Sequence, residues 1–229
     1  MGQNVAKAYV CSPSPHGMAD QWILPRIGTN ENPLRVAILI SGSGPGMEAL
    51  LKHQQQQGCL HESVVVISDK PQAGGLLKAQ ALGVPSIVIP LPEIDDRIER
   101  RLVHEEEIHE TLIAHDIELV VLSGYMRIVT PSFVSKWAGR ILNIHPSLLP
   151  DFPGAHAHRD VIAAGVKRSG CTVHFVDSEM DSGPIIAQRE VEVLESDNEE
   201  SLAERVKVEE HQIYPSVIDD LAAGRIQLP

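Results

Sequence analysis

Arg35-Val-Ala-Ile-Leu-Ile40 is a continuous apolar run closed at once by Ser41-Gly-Ser-Gly-Pro-Gly46, and the pattern turns helical from Met47 to about Gln57. A strand that is apolar on both faces has no side for water, so it belongs inside a sheet covered on both sides. A glycine turn leading into a helix leaves free N–H groups and the positive helix end above the strand's C-terminus, which suits an anion. The spacing is not Gly-x-Gly-x-x-Gly, so the dinucleotide fingerprint is absent. A tight turn that binds nothing is the other reading of these residues.

The unit recurs. Val64–Ile67, Ser86–Ile89 and Glu118–Leu122 are apolar runs of strand length, separated by helical patterns over Ala73–Leu82 and Arg97–His115. Strands alternating with helices imply right-handed crossovers and a parallel sheet. Further strands are expected at Gly170–Val176 and, at a sheet edge, Ile185–Val193. A last helix, Ser201–Leu221, should be interrupted or bent near Pro215. The expected fold is a single α/β domain over residues 34–229, a mostly parallel twisted sheet with helices on both faces. Residues 1–33 carry Pro, Ser, Gly and Asn without apolar periodicity and read as a loose extension.

Bulk properties narrow the function. A chain of 229 residues supports one sizeable core. Its net charge of −12 argues against nucleic acid, whose phosphates need a basic face, but leaves room for small anionic ligands. The three cysteines, Cys11, Cys59 and Cys171, form no Cys-x-x-Cys, so neither a disulfide framework nor a zinc knuckle is expected. A reducing cytoplasm fits. No apolar run reaches the roughly 18–20 residues of a membrane span, and the N-terminus lacks a secretory pattern. His104 and His109 have four residues between them, one more than His-Glu-x-x-His, so solvated charge is expected there. His156 and His158 have no third ligand at useful spacing, and a hydrogen-bonded structural role is expected. No metal site is anticipated.

In Ile141-Leu-Asn-Ile-His-Pro-Ser-Leu-Leu-Pro150, an apolar run ends in Asn143 and His145 before a proline stops the ladder. Strand parity puts both side chains on one face at the strand's C-terminal end, where open α/β sheets bind ligands. An amide donor beside an imidazole suits a carbonyl that becomes an oxyanion. A strand terminus with a satisfied Asn and a buried His is the alternative.

The Asn-x-His-Pro-Ser-Leu-Leu-Pro stretch resembles the signature of the folate-dependent formyltransferases, and Asp181-Ser-Gly-Pro184 resembles that family's third catalytic element. Ser41-Gly-Ser-Gly44, Gly124-Tyr-Met-Arg-Ile128 and Glu210-His-Gln-Ile-Tyr-Pro215 are most similar to the branch acting on 5-phosphoribosylglycinamide. The resemblance runs from about Leu34 to near the C-terminus, with the motifs in the family's order. It implies a Rossmann-like formyltransferase fold and formyl transfer from 10-formyltetrahydrofolate to the nucleotide's amine, without metal. Asn143 and His145 then stabilise the oxyanion, while Asp181 favours the imidazolium and assists proton transfer. Gly44, Pro45 and Gly46 take the substrate phosphate, although Pro45 lacks an N–H and Gly46 lacks a side-chain donor. Lys207 and Glu210 hold the ribose and glycinamide parts. Met126, Arg127, Ile128 and Val129, with Asn143, pack the pteridine, and Arg101 lies near the folate tail. Small molecules are the implied partners, and a homodimer is allowed without being required.

Overall fold

The computed structural model describes residues 22–228. β1 (Leu34–Ile40) pairs on one side with β2 (His61–Ser68), which carries β3 (Ser86–Val88) at the edge. On its other side β1 pairs with β4 (Leu119–Leu122), and β4 with β5 (Ile141–His145). These five strands are mutually parallel. β6 (Arg168–Phe175) and β7 (Ile185–Glu192) then add antiparallel, completing a seven-stranded sheet in the order β3-β2-β1-β4-β5-β6-β7. This is the mostly parallel α/β sheet expected, with β7 at the edge.

Strand parity distributes the core over two layers. Leu34, Val36, Ile38 and Ile40 of β1 join Leu119 and Val121 of β4 on one face, where α1 (Pro45–Gln54), α2 (Gly74–Ala81) and α6 (Glu199–Ala222) pack. Ala37, Leu39, Val120 and Leu122 face the other way, against α3 (Arg97–Ala114) and α4 (Pro131–Lys136). Burial on both sides explains the unbroken apolar runs. α5 (Ala157–Ala164) also packs on the α6 side through Val161.

Four expectations need correction. α6 runs through Pro215 without a break, its buried Ile213, Tyr214, Val217 and Ile218 holding the helix where Pro removes one backbone bond. His104 and Glu105 are buried, not solvated. The His104 Nε2 meets the Ile89 carbonyl at 2.8 Å, and Glu105 accepts the N–H and hydroxyl of Thr130. His156 and His158 do not take the expected hydrogen-bonded role: His156 precedes α5 without a side-chain capping bond, and the buried His158 Nδ1 has no partner among the described residues. Finally, residues 22–33 are not loose. Arg26 grips Glu118 through Nε (2.6 Å) and Nη2 (2.8 Å), the Gly28 N–H donates to Ala222, and Trp22 stands edge-on to Phe175 at 5.5 Å. Aperiodicity excluded a helix or strand here without excluding packing. Residues 1–21 lie outside the described residues.

Candidate active site

The parallel strands β1, β4 and β5 end at one edge of the sheet, and the candidate residues gather there. Asn143 and His145 share a face of β5, and antiparallel pairing sets His174 of β6 directly opposite Asn143. The His174 Nδ1 meets the Phe175 carbonyl at 2.8 Å, so Nδ1 donates and Nε2 is left to accept from the Asn143 amide at 3.2 Å. Burial lowers the His174 pKa and keeps this neutral form. One N–H of Asn143 is thus committed, and its second remains for a ligand.

His145 is buried, and its Nε2 donates to the Phe152 carbonyl at 2.9 Å. Its Nδ1 faces Asp181 Oδ2 at 3.4 Å, and Asp181 Oδ1 lies 3.8 Å from His174 Nε2. Asp181 therefore stands between two imidazoles without closing on either, while the Gly154 N–H donates to Oδ2 at 2.8 Å. The β6–β7 loop carries it there. Asp177 accepts from the Glu179 N–H and the Ser182 hydroxyl, and a Cβ on Gly183 would lie 1.9 Å from the Phe175 carbonyl oxygen. Asp181 itself has φ of 55°, a left-handed conformation that Asp tolerates better than most residues. Asn143, His145 and Asp181 are brought together. His174, a fourth member, is missed by sequence reasoning; a lone histidine inside Gly170–Val176 was its only mark.

The other residues divide. Gly44 adopts φ of 59° as the N-cap of α1, with Pro45 at the first helical position, where its missing N–H disturbs no helical bond. A Cβ on Gly46 would lie 2.8 Å from the Ser123 hydroxyl oxygen. The Ser41 hydroxyl accepts from the Met126 N–H at 2.9 Å, tying this turn to the loop after β4. In that loop Met126 and Ile128 are exposed, whereas Val129 belongs to the core. Arg127 is not a free cation, since its Nε donates to buried Asp69 at 2.6 Å. Arg101 is exposed near the start of α3. Lys207 pairs with Glu204, and Glu210, one turn further on, has no hydrogen-bond partner among the described residues. Burial pushes the Glu210 pKa up to about 7 against the pull of Lys207. The next turn anchors α6 to the sheet, where the Tyr214 hydroxyl meets the carbonyls of Leu122 (3.0 Å) and Leu142 (2.9 Å).

An edge bearing an amide donor, two histidines, a carboxylate and a glycine turn offers acid–base and oxyanion chemistry beside an anion cradle. Residues 34–218 match the formyl transferase family model. Escherichia coli phosphoribosylglycinamide formyltransferase is 39% identical over 197 residues, covering 85% of this chain and 90% of that protein. The chicken trifunctional purine biosynthetic protein adenosine-3 is 44% identical over 86% of this chain, but the chain spans only 19% of it. The crystal structure of glycinamide ribonucleotide transformylase 1 from Symbiobacterium toebii superposes with a TM-score of 0.82 at 42% identity, covering 86% of this chain and 91% of that one. With the family model matched over residues 34–218 and relatives at about 40% identity aligned over most of the chain, the chain belongs to the formyl transferase family.

Proposed function

We propose that the protein transfers the formyl group of 10-formyltetrahydrofolate to the amine of 5-phosphoribosylglycinamide, a step of purine biosynthesis. The observation that carries this reading is Asp181 standing between His145 and His174 beside Asn143. The names of two similar bacterial relatives support the acceptor and the group transferred. The amine attacks the formyl carbon, and the carbonyl π pair moves onto oxygen. The uncommitted Asn143 N–H and a His145 Nδ1–H receive that charge, each such donor being worth roughly 10²–10³ in rate. At 3.4 Å the His145–Asp181 contact is long enough for Nδ1 to turn toward a substrate. Collapse of the adduct breaks the bond to the folate nitrogen. Asp181, directly or through a water, carries the amine's proton to that leaving nitrogen.

The N–H groups of Gly46 and Met47 receive the phosphate at the start of α1. Lys207 and Glu210 hold the ribose and glycinamide parts, Met126 and Ile128 cover the pteridine, and Arg101 faces the folate tail. The steps as written call on the chain's own groups and at most one water. The reading extends to a cytoplasmic enzyme of small-molecule substrates, and analytical ultracentrifugation decides whether it is a homodimer. A steady-state assay with both substrates, and a control lacking nucleotide, tests the reaction. Pro45 motivates a second reading, a folate-binding protein without turnover. Calorimetric binding of both ligands with no product formed would establish it.

A further inference from the structure

At the opposite edge of the sheet, α1, the turn after it, the start of β2 and the C-terminal half of α6 bring His53, Cys59, His61 and Asp219 together. One donor atom from each lies within 4.8 Å of the other three. Asp219 Oδ2 is 2.8 Å from His53 Nε2, and Oδ1 is 2.9 Å from His61 Nε2. Cys59 Sγ lies 3.9 Å from Oδ1. We propose that this cluster is a binding site for a divalent transition metal of the zinc class, with His53 Nε2, Cys59 Sγ and Asp219 Oδ2 as ligands and His61 as the residue that positions the carboxylate. Nothing in the proposed formyl transfer requires it.

The division of roles follows from hydrogen-bond direction. The Ser63 N–H donates to Gln54 Oε1 at 3.1 Å, so Gln54 turns its amide N–H toward His61 Nδ1 at 2.7 Å. Nδ1 accepts, Nε2 keeps the ring proton, and that N–H donates to Asp219. A metal-bound nitrogen cannot carry a proton, so fully buried His61 orients Asp219 from behind, as partners of liganding groups do. His53 has no such constraint. Its neutral ring can hold the proton on Nδ1 and offer Nε2 to the metal.

Nitrogen, sulfur and carboxylate oxygen together suit zinc better than calcium or magnesium. Tetrahedral zinc separates its donors by roughly 3–4 Å, so small side-chain rotations close the cluster. A cavity of about 250 Å³ lined by His53, Cys59 and Asp219 gives an entry path and room for a water as fourth ligand. Arg225 also lines it, but its charge is held by Asp220 at 2.6 Å. Burial, opposed by the His61 carbonyl and aided by Asp219, raises the Cys59 thiol above its ordinary range. A bound cation reverses that balance, displacing the thiol proton to solvent.

The test uses the full chain stripped of metal and titrated with Co²⁺, then with Zn²⁺ in competition. A thiolate-to-cobalt charge-transfer band at one equivalent is expected, lost in Cys59→Ser. Zinc affinity should fall at least tenfold in both Cys59→Ser and His53→Gln, with turnover unchanged within about twofold. Zn²⁺ should also slow alkylation of Cys59 in the unsubstituted protein, read at that residue by mass spectrometry; this arm needs no variant to fold. Absence of both the band and the protection overturns the proposal, as does equal zinc affinity in all three proteins.

Discussion

Two aspartates in this molecule each stand between two histidines, one at either edge of the sheet, and they are held differently. Asp219 is closed on both partners, at 2.8 and 2.9 Å. Although burial alone raises its pKa, the bonds from His61 and His53 bring it below the ordinary range. Asp181 is open to both, at 3.4 and 3.8 Å, on a loop residue of positive φ. A carboxylate with both oxygens engaged contributes to the fold. One held short of its partners leaves hydrogen-bonding capacity that a reacting molecule can use. The two groups have the same composition, and only the slack in the contacts of Asp181 leaves it available for the role proposed for it.

The greatest loss of activity should come from closing off the open site. Asp181→Asn should lower kcat roughly 10²-fold or more, the size of one acid–base element, while unfolding free energy moves by less than about 1 kcal/mol. His145→Ala should cost a similar factor. The double variant should lose less than the product, because groups acting as a unit are non-additive. Steady-state kinetics on the four proteins checks this, and strictly multiplicative losses would show that the two residues act apart.

Asp219→Asn sharpens the contrast from the other side. In metal-free protein the new amide accepts from His61 through its oxygen and must meet His53 through its N–H, so two charge-assisted bonds become neutral ones and His53 is confined to the tautomer protonated at Nδ1. We expect a loss of about 2 kcal/mol in urea unfolding, with turnover unchanged within about twofold. Because the folded Asp219 pKa is depressed, the contribution is present at neutral pH and lost as pH falls through that lowered value. A stability unaffected by the substitution would remove the basis of the comparison.

How much of this was legible follows from where the signals live. β1 and its glycine turn could be read because burial on both faces leaves an apolar run with nothing to alternate against. α4 has six residues, too few for a helical period, and only Thr130 before Pro131 marked its start. The charged pairs at both edges of the sheet are long-range: Arg127 meets Asp69 across 58 positions, and His61 meets Asp219 across 158. Strand parity placed Asn143 beside His145, but His174 needs the β5–β6 register, which no local pattern encodes. Residues 22–33 look unstructured in sequence because they pack through single side chains and backbone groups, which leave no period.

Glu210 extends the comparison to a third carboxylate, half-buried near the open edge and without a hydrogen-bond partner among the described residues. Its folded pKa of about 7 lies above the ordinary carboxylate value, so the folded state binds a proton that the unfolded chain has already released. Stability should therefore fall as pH rises from about 4.5 to about 7. Glu210→Gln removes that slope and should stabilise the protein at pH 8 relative to pH 5 by on the order of 1–2 kcal/mol. It should also raise KM for the nucleotide if the carboxylate receives the glycinamide amine. Unfolding curves at the two pH values decide, and an unchanged slope would place Glu210 among the satisfied carboxylates.

A weaker effect is expected at the glycine turn before α1, proposed to receive the phosphate, where slack is absent. Pro45 gives no N–H and Gly46 no side chain, so an added donor at 46 should strengthen nucleotide binding. The space for it is filled: a Cβ at Gly46 would lie 2.8 Å from the Ser123 hydroxyl oxygen, closer than such contacts allow. Gly46→Asn alone should therefore leave KM unchanged or raised, since the new side chain displaces Ser123 or distorts the turn. Combined with Ser123→Ala, which removes the obstructing oxygen, the same Asn should lower KM for the nucleotide several-fold with little change in kcat, the pattern of uniform binding. The coupling between the two substitutions is the diagnostic, because residues in contact depart from additivity while distant ones do not. If Gly46→Asn lowers KM equally with and without Ser123, the turn is looser than its contacts imply. The contrast between open and closed sites would then have to rest on the two aspartates alone.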